Sequence, residues 1–235
     1  NPPGRGMTVG LPLADTHYVL GEKRTCFTYV YEDDEIIVID KKAGLLTIGA
    51  NNLDTETLYR QVREYANSKR FQVFIVNRLD KETSGVVMFA KSERIKMLYQ
   101  NNWNELTTKR GYLAVVEGKI SKSGRIENLL YEETNPFVHR SKIGKKAITN
   151  YNVIKYTNKY TLLDINIETG RKNQIRVHMS EMGNPVVGDK KYGSKIDPIK
   201  RMCLHSYVLE IIHPIKRNKM IFRSKHFNMF DKLVK

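Results

Sequence analysis

The nine residues Asn77-Arg78-Leu79-Asp80-Lys81-Glu82-Thr83-Ser84-Gly85 separate two apolar runs of the chain. Phe74-Ile75-Val76 precedes them and Val86-Val87-Met88-Phe89-Ala90 follows them. Short runs rich in β-branched and aromatic residues predict buried strands. We therefore expect a polar segment fixed between two rigid strands, which is a common location for catalytic groups.

Within this segment, Arg78 and Asp80 lie on either side of Leu79. In an extended chain, residues two apart point to the same side, so a carboxylate would be displayed beside a guanidinium. The residues alone favour a simpler interpretation, a solvated ion pair on a surface hairpin, because arginine and aspartate near turns are mostly exposed. Spacing by itself therefore leaves a catalytic and a structural interpretation open.

The charge balance indicates the class of partner. The chain has 235 residues, 40% of them apolar and 28% charged, and a formal net charge of +15. Such an excess of positive charge favours a polyanionic partner, with nucleic acid as the first candidate. An anionic membrane surface is the second, but neither a long apolar run nor a basic amphipathic helix is present in the sequence. We therefore expect RNA or DNA as partner and no membrane association.

The cysteines and the N-terminus indicate in which cellular compartment the protein is expected. The first residues, Asn1 to Gly6, lack the apolar core of a secretory signal. Cys26 and Cys203 are the only cysteines, and their spacing matches neither a metal site nor a disulfide framework. These observations predict a reducing cytoplasm, two buried inert thiols and no bound metal.

Hydrophobic patterning predicts more strands than helices. Residues 1–25 are expected to form a poorly ordered lead-in, and residues 119–146 a basic, loop-rich segment. Helices are expected after caps at Asp54 and Ser92, and again after Arg171. Strands are expected at 27–31, 36–39, 111–118, 149–154, 160–167, 204–212 and 220–222. Irregularly interspersed helices predict an α+β protein with a mixed, mainly antiparallel sheet.

Five segments, in order, resemble the signatures of one family. They are Tyr31-Glu32-Asp33 with Lys41 to Leu45, Arg78 to Gly85 (R-L-D-x-x-T-S-G), Arg110 to Gly118, Thr169 to Met179 with Gly183 to Gly193, and Leu204-His205-Ser206 with His213-Pro214. Together they resemble the pseudouridine synthases of the RluA family. The chain departs from the usual pattern at four positions, with Lys42, Asn77, Arg110 and Asn173 in place of proline, histidine, lysine and histidine.

The resemblance implies a fold and an activity. It implies one pseudouridine synthase-like catalytic domain over residues 26–235 with a central basic cleft, without the S4-type RNA-binding module that many relatives carry. It also implies that uridine in RNA is isomerised to pseudouridine. The reaction involves no redox change and no bond to water, so no cofactor is expected.

The resemblance also implies three catalytic residues. Asp80 falls on the family's catalytic aspartate, Arg176 on its active-site arginine and Tyr112 on the tyrosine that lies against the target base. Apart from the resemblance, Arg176 would be read as a solvated helix arginine, and Tyr112 as a core tyrosine. The route remains open between attack of Asp80 on the sugar C1′, attack on the uracil ring and a glycal-like elimination.

A second set of residues is assigned to substrate binding. Arg78 would brace the turn or occupy the space that the flipped base leaves, and Gln174 and His178 would support the geometry of the centre. The set also includes Leu79 beside Asp80. Lysines and arginines expected to contact phosphates are Lys81, Lys145, Lys146, Arg171 and Lys172.

Two functions of different classes fit the sequence. The leading hypothesis is an RNA pseudouridine synthase that acts as a monomer on a stem-loop of ribosomal or transfer RNA. The alternative is a non-catalytic RNA-binding or ribosome-assembly protein on the same scaffold, which fits the +15 charge equally well. A DNA-binding regulator is a weaker third option, because no helix-turn-helix or zinc-finger pattern is evident.

Overall fold

The computed structural model describes residues 18–20, 23–25, 27–49, 56–133, 137–226 and 228–235. The expected helix cap Asp54 and the thiol of Cys26 lie outside these residues. The chain forms two compact units. The first comprises Asn1–Lys109 and Val208–Lys225, and the second comprises Arg110–Tyr207 and His226–Lys235.

Strands dominate the described chain, as the patterning predicts. They are β1 (Tyr18–Leu20), β2 (Lys23–Thr25), β3 (Thr28–Glu32), β4 (Ile36–Lys41), β5 (Phe74–Ile75), β6 (Ser84–Ala90), β7 (Thr107–Glu117), β8 (Gly124–Glu132), β9 (Val138–Arg140), β10 (Lys145–Tyr156), β11 (Tyr160–Ile167), β12 (Leu204–Ile212) and β13 (Lys219–Arg223). The helices are α1 (Leu58–Ser68), α2 (Glu93–Asn101), α3 (Trp103–Leu106) and α4 (Gln174–Glu181), with 3-10 turns at Lys190–Tyr192 and Asp231–Val234. None of these helices is long and apolar enough to cross a membrane.

In the first unit, β4 pairs with β3 and β6, β5 pairs with β6, and β12 pairs with β13, all antiparallel. Every residue of β4 and β6 is buried. This burial follows from the apolar runs at 36–39 and 86–90, whose side chains are hydrophobic on both faces of the strand. The two predicted strands around Asp80 are present as β5 and β6, but the expected burial holds for β6 alone, since β5 is half-buried. Strand β6 forms the rigid support of the loop before it.

Helix α1 packs on this unit through the predicted spacing of Leu58, Val62 and Tyr65, all of which are buried. Its cap is Thr57, whose side-chain oxygen accepts a hydrogen bond from the Arg60 backbone N–H at 3.2 Å. Ser92 caps α2 as predicted.

In the second unit, the strand order is β7-β11-β10-β8-β9, and every neighbouring pair is antiparallel. The predicted pairing of 149–154 with 160–167 is confirmed, with β10 longer than expected. The core of this unit joins β7 and β11 to the buried face of α4, where Ile175 and Met179 lie as the helical spacing predicts.

The expectation of a loop-rich segment over 119–146 is wrong. It contains β8, β9 and the start of β10. Along β8 only Leu130 is buried, and charged residues such as Arg125 and Glu127 alternate with half-buried ones. A strand with so little buried surface leaves no apolar alternation in the sequence. Its stability comes from the backbone ladder with β10, which the sequence pattern does not reveal.

Two short strands lie within the expected lead-in. Strands β1 and β2 form a short antiparallel pair, in register from Tyr18 with Thr25 to Leu20 with Lys23. The other residues before Cys26 lie outside those that the structure describes.

Candidate active site

The loop that carries Asp80 is fixed from both sides within the first unit. The Asn77 side-chain oxygen accepts a hydrogen bond from the Met88 backbone N–H at 2.8 Å. The Thr47 hydroxyl donates to the Leu79 carbonyl at 2.8 Å and accepts from the Leu79 N–H at 3.2 Å. One buried hydroxyl thus satisfies both backbone groups of Leu79, and the position of the next residue, Asp80, is set.

Lys41 fixes the other side of Asp80. Its side chain is buried at the end of β4, with 1% of the residue exposed. The ammonium donates to the carbonyls of Lys81 at 3.1 Å, Leu45 at 2.6 Å and Lys42 at 3.0 Å. A buried ammonium must have all three donors satisfied, because an unpaired buried charge is very costly. By binding three carbonyls, the Lys41 ammonium fixes residues 42–45 and the backbone after Asp80 in one arrangement.

These contacts leave the polar side chains of the loop accessible. Leu79 is buried, Asp80 is half-buried, and Arg78 and Lys81 are exposed. The Asp80 carbonyl accepts a hydrogen bond from the Thr83 N–H at 3.1 Å, which closes the turn. A carboxylate on a rigid backbone suits catalysis, because little motion is needed to position it. The predicted pairing of Arg78 with Asp80 stays a prediction.

In the second unit, Arg176 lies on α4 and is 9% exposed, so it is not a solvated helix arginine. Its Nε and Nη2 bind Asp189 Oδ2 and Oδ1 at 2.7 and 2.8 Å. Its Nη1 donates to Asn173 Oδ1 at 2.7 Å, and the guanidinium carbon lies 4.9 Å from the centre of the Tyr192 ring. These contacts account for three of the five N–H donors of a guanidinium and fix its plane.

The backbone around Arg176 explains how its partners reach it. Gly188 has φ +82°, and a Cβ there would collide with the carbonyl oxygen of Arg201, so glycine is required just before Asp189. Asn173 has φ 54° and lies just before α4. Asparagine tolerates this left-handed conformation better than most residues. The departure from histidine at position 173 therefore keeps a hydrogen-bonding side chain beside Arg176.

Gln174 uses all of its hydrogen-bonding capacity inside the protein. Its amide nitrogen donates to the Ile148 carbonyl and to the Thr149 hydroxyl, both at 2.9 Å. Its oxygen accepts from the Thr169 hydroxyl at 2.7 Å and from the Arg171 N–H at 3.1 Å. This geometry suits the support of the start of α4 rather than direct contact with RNA.

His178 is completely buried between Thr149 and Asn128. Its Nε2 lies 2.8 Å from the Asn128 side-chain oxygen, which can only accept, so we assign the proton to Nε2. Its Nδ1 then accepts from the Thr149 hydroxyl at 2.9 Å. Burial lowers the pKa of His178 to about 4, so the ring is neutral at neutral pH. Like Gln174, it holds α4 against β10.

Tyr112 lies on β7 opposite Ile165 of β11, half-buried against the core of the second unit. Arg110, two residues earlier, donates to the Glu168 carbonyl through its guanidinium and to Asn166 Oδ1 through its backbone at 3.1 Å. Burial lowers the pKa of Arg110 below its ordinary value. The arginine that replaces the usual lysine therefore ties β7 to the end of β11 beside Tyr112.

The residues predicted to contact phosphates differ in their surroundings. Arg171 is exposed and its Nε donates to the Lys146 carbonyl at 2.9 Å. Lys172 forms an ion pair with Glu132, and Lys146 forms one with Glu127 at 2.5 Å. Exposed ion pairs of this kind are weak, so RNA could displace either carboxylate. Lys81 and Lys145 are exposed.

Sequence reasoning missed four residues that hold candidate site residues in place within their own unit, namely Lys41 and Thr47 in the first unit and Asp189 and Tyr192 in the second. The sequence carries a signal for each of the two charged residues, Lys41 and Asp189. Lys41 ends an apolar strand where a solvated lysine is not expected, and Asp189 follows Gly188 in a motif already recognised. Thr47 carries no sequence signal of this kind, since its role depends on a contact 32 positions away.

Comparison with protein families identifies the family to which the chain belongs. Residues 35–181 match the family model described as RNA pseudouridylate synthase. This chain belongs to that family. The matched range includes Asp80, Tyr112 and Arg176, and the resemblance to the RluA family of pseudouridine synthases is confirmed.

Individual relatives match most of the chain. Ribosomal large subunit pseudouridine synthase D of Nitrosomonas europaea is 34% identical over 83% of this chain and 60% of its own length. The "Uncharacterized RNA pseudouridine synthase YlyB" of Bacillus subtilis is 33% identical over 90% of this chain and 73% of its own length. The chain thus spans less than two thirds of the Nitrosomonas relative.

Solved structures share the fold. Human RNA pseudouridylate synthase domain containing 1 superimposes with a TM-score of 0.72 at 22% identity, covering 88% of this chain and 86% of that one. Human RNA pseudouridylate synthase domain containing 4 superimposes with a TM-score of 0.69 at 21% identity, covering 84% of this chain and 87% of that one. The predicted α+β, pseudouridine synthase-like fold is confirmed. The single catalytic domain over 26–235 stays a prediction.

Proposed function

We propose that this chain is an RNA pseudouridine synthase with Asp80 as its catalytic carboxylate. The observation that carries the proposal is the family match over residues 35–181, which includes all three residues assigned to catalysis. The fixed backbone on both sides of Asp80 supports it further. Lys41 and Thr47 fix the backbone on either side of the half-buried Asp80, an arrangement that a binding module would not need.

The reaction exchanges one glycosidic bond for another in the same nucleoside. The bond from C1′ to N1 of uracil breaks, the base rotates, and C1′ bonds to C5. The proton on C5 is lost and N1 gains one, so atoms and electrons balance within the substrate. No oxidant, reductant or cofactor is required.

Asp80 supplies the negative charge that this rearrangement needs. An ordinary aspartate is ionised at neutral pH. In the proposed reaction it attacks C1′, attacks the uracil ring, or promotes a glycal-like elimination as the C1′–N1 bond breaks. All three routes place the same carboxylate beside the target nucleoside.

Arg176 and Tyr112 complete the proposed centre. Arg176 would keep Asp80 ionised when the substrate excludes water, because a nearby cation favours the charged carboxylate. Its bidentate contact with Asp189 supports this role by fixing the guanidinium plane. Tyr112 would stack against the target uracil and assist loss of the C5 proton.

The substrate is proposed to be ribosomal or transfer RNA. The relatives named as ribosomal large subunit pseudouridine synthase D support ribosomal RNA in particular. The target uridine must leave its helix to be reached, and Arg78 is proposed to occupy the space that it vacates. Lys81, Arg171 and Lys172 would contact the flanking phosphates. We also propose that the protein acts in the cytoplasm as a monomer.

The test compares Asp80→Asn with a matched control, Glu82→Gln, which neutralises an exposed carboxylate two residues away. Pseudouridine is mapped in total RNA from cells that express each form. We expect Asp80→Asn to lose the sites that the wild-type protein modifies while it still binds RNA. Glu82→Gln should retain them.

Full modification by Asp80→Asn would contradict the catalytic role of Asp80. Absence of any site that depends on the wild-type protein would instead favour an RNA-binding or ribosome-assembly protein on the same scaffold. The mapping also names the RNA and the uridine, because the lost sites identify both.

A further inference from the structure

A group of lysines lies in the second unit, where β10 turns into β11. We call it the lysine patch and define it by Lys119, Lys122, Lys155 and Lys159, all of which are exposed. Lys119 and Lys122 belong to the connection between β7 and β8, whereas Lys155 and Lys159 belong to the β10–β11 hairpin. Two separate chain segments therefore supply the patch.

Hydrogen bonds from backbone and hydroxyl groups hold these two segments together. The Gly118 N–H donates to the Lys159 carbonyl at 2.7 Å, and the Val153 N–H donates to the Ser123 hydroxyl at 3.0 Å. Between them, the Thr161 hydroxyl donates to the Gly118 carbonyl at 2.8 Å. Because the connection is bonded at both ends to the hairpin, the two segments that carry the four lysines share one fixed base.

An exposed aromatic ring lies within the patch. Tyr156 is 44% exposed, and the ammonium of Lys119 lies 4.7 Å from its ring centre. This cation–π contact orients Lys119 without neutralising its charge. The neighbouring Ile154 is 54% exposed, so the surface is apolar as well as basic. Such a combination is typical of surfaces that bind nucleic acid by charge and stacking.

The positive charge of the patch is not compensated. Within the described residues, none of its four lysines forms an ion pair, in contrast to Lys146 and Lys172. The sequence contains no aspartate or glutamate at 118–124 or 152–163. The carboxylate next along the chain, that of Glu117, already accepts from the Ser194 hydroxyl at 2.6 Å and the Lys195 N–H at 2.9 Å.

We propose that the lysine patch binds phosphates of the substrate RNA away from the target uridine. The inference rests on the proposed function. Tyr112 and Glu117 are five residues apart on β7, so the patch begins about 17 Å from Tyr112 along that strand. RNA is favoured over an anionic membrane because the proposed activity already requires a long polyanion, and Tyr156 offers a face for a base.

The test neutralises the patch with four lysine-to-glutamine substitutions, at 119, 122, 155 and 159. A matched control changes four exposed lysines of the same unit to glutamine, namely Lys142, Lys200, Lys232 and Lys235. Both variants lose the same net charge. Binding to purified ribosomal RNA is measured as a function of salt, and binding to phosphatidylserine vesicles is measured in parallel.

Each lost phosphate contact lowers the slope of log affinity against log salt by about 0.7 to 0.9. The patch variant should therefore show a slope smaller by about three and an affinity at least about tenfold weaker near 0.1 M salt. The control should change the slope by less than half as much. Equal losses in both variants, or a loss of vesicle binding with RNA binding intact, would overturn the proposal.

A rate measurement separates this inference from the proposed function. On a short stem-loop around a mapped site, with enzyme in excess, the patch variant should form pseudouridine at the wild-type rate. Asp80→Asn should show the reverse, with no product and a wild-type salt slope. If the wild-type protein forms no pseudouridine, the proposed function fails, and the salt slopes still decide whether the patch binds RNA.

Discussion

At the residue scale, the side chain of Lys41 controls the backbone that carries Asp80. Lys41→Met keeps much of the shape but removes the ammonium donor from the carbonyls of Lys42, Leu45 and Lys81. The Lys81 carbonyl keeps its hydrogen bond from the Gly44 N–H at 2.9 Å. We expect a loss of about 1–3 kcal/mol in the free energy of unfolding. The rate of pseudouridine formation should fall even where the variant is fully folded, because the Asp80 backbone is released.

Urea unfolding and single-turnover kinetics test this expectation together. The control is Lys42→Met, which removes the charge of the exposed neighbour. A Lys41→Met variant with the wild-type rate at low temperature would show that the three carbonyl contacts stabilise the fold without positioning Asp80.

The pairing of Arg176 with Asp189 makes a second residue-scale prediction. Asp189→Asn preserves the side-chain shape but removes the charge from a buried bidentate pair. Leaving one charge of a buried pair uncompensated costs roughly 3–5 kcal/mol. We expect a less stable protein whose kcat falls by about tenfold or more with little change in KM, because Asp189 orients Arg176 rather than binding RNA.

Steady-state kinetics on the mapped RNA measures this split. The exposed Asp231→Asn serves as the control for loss of a single carboxylate. A rise in KM with an unchanged kcat would instead place Asp189 in substrate binding.

At the element scale, α1 depends on its cap at Thr57. The side-chain oxygen of Thr57 accepts from the Arg60 N–H, one of the donors that the helix itself cannot satisfy. We expect Thr57→Ala to lower the free energy of unfolding by about 1 kcal/mol and Thr57→Ser to restore most of it. Urea denaturation checks both. Equal stability of the alanine and serine variants would mean that the cap does not stabilise α1.

The element scale also explains the missed strands β8 and β9. Antiparallel pairing with β10 satisfies the backbone of β8 over seven residue pairs, from Gly124 to Leu130. The side chains of β8 then need little burial, so polar and charged residues are tolerated. Local sequence shows only this polarity, and the partner strand lies in a different part of the chain.

At the scale of the whole molecule, buried histidines make stability depend on pH. Burial lowers the pKa of His178 to about 4 and that of His205 to about 3, and it lowers the pKa of His213. An unfolded histidine titrates near 6.5. Below that pH the unfolded chain binds more protons than the folded one, so stability is complete above about 6.5 and decreases as pH falls toward 4.

The midpoint of urea unfolding, measured between about pH 7.5 and about pH 4.5, tests this dependence of stability on pH. His178→Gln should reduce the slope of the free energy of unfolding against pH by an amount that corresponds to up to one proton. Glutamine can bond to Thr149 and Asn128 without titrating. The exposed His226→Gln is the control. An identical pH dependence in the wild-type protein and His178→Gln would show that His178 does not contribute to acid lability.

The sequence by itself determined the apolar strands, the helix faces and the family. Burial on both faces of a strand selects a continuous apolar run, and burial of one helix face selects apolar residues three or four apart, so β4, β6 and the face of α4 were legible without coordinates. The motif around Asp80 was legible through its resemblance to the family signature, because that signature is a short local run of residues. The net charge of +15 indicated a polyanionic partner for the same reason, since charge is additive along the chain.

Only the tertiary structure decided how that motif is held. Lys41, Thr47 and Asp189 contact residues far along the chain or across a turn, and their partners are backbone groups or buried charges that no periodicity marks. The same holds for β8 and for the lysine patch, whose residues come from two segments. Hydrogen bonds and ion pairs are set by distance in space, and the sequence records only distance along the chain.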